Sequence, residues 1–206
     1  MPAVFVTGTD TDVGKTFVSA LLCKAWGASY WKPVQTGLDS DPGDTKTVKE
    51  LVGKDLITFK PQVELQKPLA PWRACVLEGE PFLKLEDFKL PKTNDPLIVE
   101  GAGGVFVPLT KELITKDLVK QIDCPVIVVA RSQLGTLNHT LLTLEHLRAH
   151  DVKILGVILN GKIDEDNCTA LKELGVKVIC QIPLASSVDE VTHLVPSLTE
   201  LINDYN

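Results

Sequence analysis

Residues 3–26 read AVFVTGTDTDVGKTFVSALLCKAW, which is an apolar run, a loop flanked by glycines and a helix-like pattern in direct succession. Residues 3–7 are apolar and mostly β-branched, as in a strand that is buried on both faces of a parallel sheet. Lys15–Trp26 is predicted to be a helix, because its apolar residues recur at the spacing of one helical face. The stretch therefore predicts a strand, a loop and a helix, which together make one unit of an α/β fold.

The loop between this strand and helix ends in Gly14, Lys15 and Thr16. In a phosphate loop, glycines let backbone amides point at the phosphates, a lysine reaches the β- and γ-phosphates, and a hydroxyl binds Mg²⁺. Five residues separate Gly8 from Gly14, one more than the usual spacing, and Thr9 stands where the first glycine usually lies. The pattern predicts that the loop binds the triphosphate of a nucleotide together with Mg²⁺. The alternative is a glycine-rich helix start with a solvated lysine.

Asp10 bears on a neighbouring class of ATPases, which partition DNA or position cell division. Members of that class carry an additional lysine early in the phosphate loop, at the position that Asp10 occupies in this chain. The sequence therefore argues against membership of that class.

Apolar runs and helical patterns alternate along the rest of the chain. Residues 39–93 are rich in Pro, Lys and Asp, and only one or two helices are predicted there, one of them with Asp44 or Thr45 as its N-cap. The alternation predicts an α/β fold with a mainly parallel sheet and helices on both faces, and residues 1–206 are predicted to form a single phosphate-loop domain. The further predicted strands are 29–32, 97–100, 126–130, Ile154–Asn160 and 176–182, and the further predicted helices are Asp44–Val52, Thr115–Ile122, 137–148 and 164–174.

Composition excludes several functional classes. The chain has 206 residues, of which 44% are hydrophobic, enough for one α/β domain with a substantial core. A net charge of −6 argues against broad binding to nucleic acid, and the absence of an apolar run of about 18 residues argues against a membrane span. The five scattered cysteines and the lack of a signal or transit peptide predict a cytoplasmic protein with reduced thiols.

A carboxylate and a glycine cluster end the predicted strand at 97–100. The sequence there is Glu100-Gly-Ala-Gly-Gly. Ligands of parallel sheets bind at the carboxyl ends of the strands, and glycines let a ligand approach the backbone. Glu100 therefore suits a site for Mg²⁺ and a triphosphate, whereas a glycine turn with a solvated glutamate is the alternative.

A lysine and a proline follow the predicted strand at 29–32, in the segment Lys32-Pro-Val-Gln-Thr-Gly. If this strand neighbours the strand at 3–7, Lys32 lies at the same edge as the phosphate loop and meets the γ-phosphate. From the sequence alone, however, an ordinary surface lysine is the better interpretation. The local patterns likewise favour a helix cap for Asp44 and a turn residue for Asn160.

Taken together, these segments resemble the dethiobiotin synthetases, a family of ATP-dependent cyclo-ligases in biotin synthesis. Asp12 stands where the family often has Glu, and Thr36 stands where it often has Ser; residues 55–92 match poorly, and nothing is carried over there. Six motifs carry the resemblance, in the order of the family: VTGTDTDVGKT from Val6, KPVQTG from Lys32, VEGAGGV from Val99, LGTLNH from Leu134, GVILN from Gly156 and IPL from Ile182.

The resemblance implies a reaction and its substrates, which are 7,8-diaminononanoate, CO₂ or bicarbonate, and ATP, with Mg²⁺ as cofactor. The diamine takes up CO₂ as a carbamate on N7, the γ-phosphoryl group of ATP transfers to the carbamate, and the 8-amine closes a cyclic urea. Such chemistry needs positioning and charge neutralisation more than a nucleophilic side chain. The resemblance also implies a homodimer with the substrate site at the interface.

The resemblance assigns roles to individual residues of this chain. Lys15, Lys32, Thr11 and Asp12 form the catalytic set, and Thr16, Asp44 and Glu100 bind Mg²⁺. Thr36 binds the carbamate or the diamine, and the turn of Gly135, Thr136, Leu137 and Asn138 binds the carboxylate of substrate held by the partner. The remaining contacts to ATP fall to Asp12, Val13, Gly14, Lys15, Thr16, Phe17, Asp44, Glu100, Gly101, Ala102 and Gly103, with Asn160, Pro183, Leu184, Ala185 and Glu190 near the base and ribose.

Two other functions stay open at this point. One is a nucleotide switch, whose ATP-bound state gates a macromolecular partner instead of driving synthesis. The other is a related ATP-dependent amidation enzyme, although 206 residues leave no room for a glutaminase domain. Phosphate release that depends on the diamine and bicarbonate separates a synthetase from a switch.

Overall fold

A seven-stranded parallel sheet forms the centre of this computed structural model, which describes residues 2–203. Its order is β4-β2-β6-β1-β7-β8-β9, and the short strands β3 and β5 pair separately, also in parallel. The strands are β1 (Ala3–Gly8), β2 (Ser29–Trp31), β3 (Val34–Gln35), β4 (Thr58–Phe59), β5 (Val63–Glu64), β6 (Leu97–Gly104), β7 (Val126–Arg131), β8 (Ile154–Asn160) and β9 (Val178–Ile182).

Helices cover both faces of the sheet and create two hydrophobic cores. Successive residues of a strand point to opposite faces, so Phe5 packs in one core with Leu144 and Leu171, while Val6 packs in the other with Leu21. The helices are α1 (Lys15–Trp26), α2 (Asp44–Val52), α3 (Pro71–Glu78), α4 (Thr115–Ile122), α5 (Thr136–Arg148), α6 (Glu165–Glu173) and α7 (Leu198–Asn203), with 3₁₀ turns at Leu85–Asp87 and Thr192–Leu194.

The predicted fold class is confirmed, and most predicted elements end within two residues of the observed ones. The predicted strand 176–182 begins only at Val178. Val176 is instead held by a hydrogen bond from its amide to the Leu171 carbonyl, which closes the end of α6. The strand predicted at 97–100 runs on to Gly104, because Gly104 still pairs with Gly8 of β1. The assignment of residues 1–206 to one domain stays a prediction.

One expectation about local placement was wrong, and one condition set in the sequence analysis is not met. The N-cap of α2 is Gly43, at a φ of 88°, so Asp44 is the first helical residue and not the cap. Strand β2 does not neighbour β1 either, because β6 lies between them. All three strands are parallel, however, so their carboxyl ends still meet at one edge of the sheet.

The poorly matching segment 55–92 contains β4, β5 and α3, which the sequence did not predict. Each of these strands is only two residues long and pairs with residues far away in the chain, as Thr58 does with Tyr30. Such strands leave no periodic signal. Within residues 2–203, no helix combines the length and apolarity needed to cross a membrane.

Candidate active site

The phosphate loop connects β1 to α1 and requires a glycine at its end. Gly14 is the N-cap of α1 and has a φ of 91°, a conformation that side chains with a Cβ rarely adopt. A Cβ at this position would also lie 2.1 Å from Nδ2 of Asn160, at the end of β8. That same Nδ2 donates a hydrogen bond to the Val13 carbonyl, 3.1 Å away. Asn160 therefore contacts the phosphate loop at Val13 and Gly14 and supports its conformation.

Lys15 lies within the loop, and only 7% of it is exposed. Its Nζ donates to the Asp10 carbonyl oxygen at 3.0 Å, so the ammonium is held by the loop that would surround a phosphate. Burial lowers the pKa of Lys15, and the positive charge of Lys32 lowers it further. An anion bound in the loop would stabilise the charged ammonium and so counteract both effects on the pKa of Lys15, as expected for a lysine that binds phosphate.

Three oxygen-bearing side chains converge beside Lys15, although they are remote from one another in the sequence. The Thr16 hydroxyl donates to Oδ1 of Asp44 at 2.6 Å and lies 3.3 Å from Oε1 of Glu100. Glu100 is 1% exposed, so it is not the solvated glutamate of the alternative interpretation. The three residues of the predicted metal site are thus brought together.

Lys32 contacts this cluster and is 4% exposed, so it is not an ordinary surface lysine. Its Nζ is 2.8 Å from Oδ2 of Asp44, 3.0 Å from Oε1 of Glu100 and 3.0 Å from the Gly101 carbonyl oxygen. Burial alone would lower the pKa of Lys32, but the charges of Glu100 and Asp44 outweigh it and raise that pKa. Asp44 responds in the opposite sense: its pKa is lowered, since Lys32 and two hydrogen bonds overcome the effect of burial. The group is a buried, ionised lysine with two carboxylates.

Two residues that the sequence interpretation missed support this cluster. The hydroxyl of Tyr30, in β2, donates to Oε2 of Glu100 at 2.9 Å. The side-chain oxygen of Gln35, in β3, accepts a hydrogen bond from the Asp44 amide at 2.9 Å and so fixes the start of α2. Tyr30 stands in a short buried strand, where the sequence does not distinguish a tyrosine with a site role from one that packs in the core. Only the position of Gln35, between Lys32 and Thr36 in a motif, offered a signal.

The residues present fit a magnesium ion that arrives with a nucleotide. Mg²⁺ prefers hard oxygen ligands, and it is commonly held by one or two carboxylates together with substrate phosphates. Thr16, Asp44 and Glu100 offer such oxygens within hydrogen-bonding distance of one another. Among residues 2–203, no cluster of three or more His, Cys, Asp or Glu side chains is placed to bind a metal without such help.

A cleft of ≈ 460 Å³ opens directly over the loop and the carboxylates. The predicted catalytic residues Thr11 and Asp12 line it, and so does Thr36. The cleft therefore brings the phosphate loop, the predicted metal ligands and one predicted substrate-binding residue into a single space. The other lining residues are Gly14, Lys15, Thr16, Lys32, Val34, Gln35, Asp41, Asp44, Glu100, Ala102 and Gly103.

The residues predicted near the base lie farther along the same edge of the sheet. Asn160 pairs with Ile182 across β8 and β9, which places Pro183 next to the end of β8. Leu184 is 82% exposed. Glu190 accepts hydrogen bonds from Ser186 at 2.5 Å and from Ser187 at 3.4 Å, and neither serine is a predicted site residue. Asn160 is thus adjacent to both the phosphate loop and residues 183–185.

The turn at residues 135–138 does not line the cleft. Gly135 is the N-cap of α5 at a φ of 94°, and Thr136 is buried with its Oγ1 3.4 Å from that of Thr140. Leu134, just before the turn, is 97% exposed. The predicted role of this turn concerns substrate bound to a partner subunit, and it stays a prediction.

The thiols take no part in the site. All five cysteines are free, and three of them are buried. Burial raises the pKa of Cys23 and, to about 12, that of Cys180. Thiols with raised pKa values are poor nucleophiles near neutral pH.

Likeness to solved structures concerns the fold. The cell division ATPase MinD of Pyrococcus furiosus superposes with a TM-score of 0.58 at 20% identity, over 95% of this chain and 90% of that one. MinD of Pyrococcus horikoshii, solved with Mg-ADP, gives a TM-score of 0.56 at 19% identity, over 95% and 86%. At such identities the likeness shows the shared phosphate-loop fold alone.

Likeness in sequence is much stronger and identifies the family. The AAA domain family AAA_26 matches residues 2–192. The bifunctional biotin biosynthesis protein BioCD of Bordetella avium is 46% identical over 97% of this chain, which spans only 44% of that protein. The ATP-dependent dethiobiotin synthetase BioD of Paramagnetospirillum magneticum is 44% identical over 93% of both chains, and that of Brucella ovis is 42% identical over 88% of this chain and 85% of its own. The chain belongs to the ATP-dependent dethiobiotin synthetase family.

Proposed function

We propose that this enzyme forms dethiobiotin from 7,8-diaminononanoate, CO₂ and ATP, through a carbamate and a carbamic–phosphoric anhydride. One observation carries the proposal: the buried ammonium of Lys32 lies between two carboxylates beside the phosphate loop. The reaction brings together two anions, the carbamate and the γ-phosphate, and a site that unites them must supply fixed positive charge. The cleft over the loop has two such charges, on Lys15 and Lys32.

The proposed chemistry runs in three steps. The N7 amine adds to CO₂ and loses a proton, which gives a carbamate. A carbamate oxygen then attacks the γ-phosphorus, and the bond between that phosphorus and the oxygen of ADP breaks. Finally, the N8 amine attacks the carbonyl carbon and loses a proton, and the bond from that carbon to the phosphate oxygen breaks, so that phosphate leaves and a cyclic urea closes. No step needs a protein nucleophile, in keeping with a cleft that is lined by lysines, threonines and carboxylates.

Lys32 has a different partner at each stage of this scheme. Without nucleotide, its ammonium neutralises Asp44 and Glu100. When bound, Mg²⁺ would supply positive charge to the same carboxylates and to the β- and γ-phosphates. Lys32 is then free to hold the carbamate against the γ-phosphate, an interaction that matters more in the transition state than in the ATP complex. Lys15, released from the Asp10 carbonyl, binds the phosphates directly.

The remaining residues bind and orient the substrates. Thr11 and Thr36 face the same cleft as Lys32 and are proposed to hydrogen-bond the carbamate or the diamine. Asn160 is proposed to read the adenine edge. The turn at residues 135–138, at the start of α5, would offer backbone amides to the carboxylate of diamine held by a partner subunit. The proposed assembly is a homodimer, and the proposed location is the cytoplasm.

The test of this function is coupled product formation. Purified protein with Mg²⁺ and ATP should release phosphate only when both diaminononanoate and bicarbonate are present, and mass spectrometry should find one dethiobiotin per phosphate. Omission of either substrate is the control. Phosphate release that ignores the diamine and responds instead to a macromolecule would refute the synthetase function in favour of a nucleotide switch.

A further inference from the structure

Tyr30 is a buried polar side chain outside the set of residues that the proposed mechanism uses. It lies in β2 and is fully buried, in a strand of otherwise core-forming residues. Tyr30 pairs with Ile98 of β6, and side chains two positions apart in a strand point to the same face. Glu100 therefore lies on the face of Tyr30, one step nearer the cleft, and its Oε2 accepts the phenolic hydrogen bond at 2.9 Å.

The two oxygens of Glu100 have separate partners. Oε1 faces Lys32 at 3.0 Å and Thr16 at 3.3 Å, on the side of the cleft. Oε2 faces the interior and contacts the hydroxyl of Tyr30. Because Glu100 is almost completely buried, no solvent replaces the phenol if it is removed. The hydrogen bond thus fixes the orientation of the carboxylate, with one oxygen held by Tyr30 and the other directed at Lys32 and Thr16.

We propose that Tyr30 is a positioning residue of the metal site, whose hydroxyl holds one oxygen of the Glu100 carboxylate so that the other oxygen is directed at the magnesium ion of the ATP complex. The inference rests on the proposed role of Glu100 as a magnesium ligand. Groups that hydrogen-bond to a metal ligand orient it, and their loss typically weakens metal binding about 10- to 100-fold.

Tyr30→Phe tests the proposal, because it removes the hydroxyl and keeps the ring that packs in the core. Binding of Mn²⁺ is measured by electron paramagnetic resonance in the presence of a non-hydrolysable ATP analogue, beside the Mg²⁺ concentration that gives half-maximal rate. Both midpoints should rise about 10- to 100-fold in Tyr30→Phe. Trp31→Phe is the matched control, since it removes a buried donor of the same strand whose partner, the Lys60 carbonyl, is away from the site. Unchanged midpoints in Tyr30→Phe would overturn the proposal, even if its thermal stability fell.

Glu100→Gln separates this inference from the function on which it rests. If Glu100→Gln weakens Mn²⁺ binding and Tyr30→Phe does not, Glu100 is a ligand and Tyr30 does not position it. If neither variant weakens it while wild-type protein still makes dethiobiotin, the metal role of Glu100 is wrong and the inference with it, whereas the synthetase function stands.

A second measurement needs no variant at position 30. The chain has only two tyrosines, Tyr30 and Tyr205, so biosynthetic 3-fluorotyrosine gives two fluorine resonances that Tyr205→Phe assigns. The Tyr30 resonance should shift when Mg²⁺ is added to the analogue complex and should not do so in Glu100→Gln. A Tyr30 resonance that ignores Mg²⁺ in the wild-type protein would overturn the proposal.

Discussion

Replacement of Lys32 by glutamine removes the ammonium that pairs with both Asp44 and Glu100. Removing one partner of a buried ion pair costs about 3–5 kcal/mol, because the other charge stays buried. Asp44 keeps 26% of its side chain exposed, and glutamine still donates one hydrogen bond, so the lower end of that range applies. A loss of about 3 kcal/mol lowers the Tm of a protein of this size by about 6–12 °C.

The same change should affect the rate more than it affects nucleotide binding. Lys32 is proposed to act between the carbamate and the γ-phosphate, and loss of one such charge typically costs about 10² to 10³ in kcat. Addition of Mg²⁺ with ADP should raise the Tm of Lys32→Gln more than that of the wild type, because the cation replaces the missing charge beside both carboxylates.

Three measurements check this prediction: kcat at saturating diamine, nucleotide affinity by titration, and Tm with and without Mg-ADP. Lys60→Gln is the matched control, since Lys60 is an exposed lysine 3.5 Å from Glu64, and it should change none of the three. A kcat of Lys32→Gln within about threefold of wild type, an energy below roughly 0.7 kcal/mol, would show that Lys32 is not catalytic.

Three further predictions concern the loop, the metal and the assembly. Lys15→Gln should lower turnover by about 10² to 10³ or more without loss of the fold, because its ammonium stabilises charge on the transferred phosphoryl group; turnover within tenfold of wild type would refute the phosphate-loop assignment. Asp44→Asn and Glu100→Gln should each raise the Mg²⁺ concentration needed for half-maximal rate, since each removes an anionic oxygen from a hard cation. An unchanged midpoint in Asp44→Asn would leave Asp44 a purely structural partner of Thr16 and Lys32. The protein should be a homodimer, and light scattering at micromolar concentration that gives the monomer mass of 22.5 kDa would contradict this.

The phosphate loop could be predicted because its signal is local. Gly14, Lys15 and Thr16 are consecutive, and the strand and helix around them have their own periodic patterns. Lys32 is different, because its burial depends on partners 12 and 68 residues away that only the folded sheet brings near. For this reason the local pattern favoured a surface lysine.

Supporting residues and short strands could not be predicted for a related reason. Tyr30 and Gln35 act through single hydrogen bonds to Glu100 and to the Asp44 amide, and a hydrogen-bond partner leaves no mark on the surrounding sequence. The cap of α2 was misplaced by one residue, since Gly43 serves through its backbone conformation and not through a side-chain hydrogen bond.

The contact between Asn160 and the phosphate loop has a consequence for attempts to redesign nucleotide preference. A substitution at Asn160 that is meant to admit another base also removes the hydrogen bond to the Val13 carbonyl. The same side chain limits the space at Gly14, so a bulkier residue would press on the loop itself. Under the proposed role of Asn160 in reading the base, base selectivity and phosphate affinity are coupled through this one side chain, and a library that varies position 160 needs compensating changes in residues 9–13 to alter one property without the other.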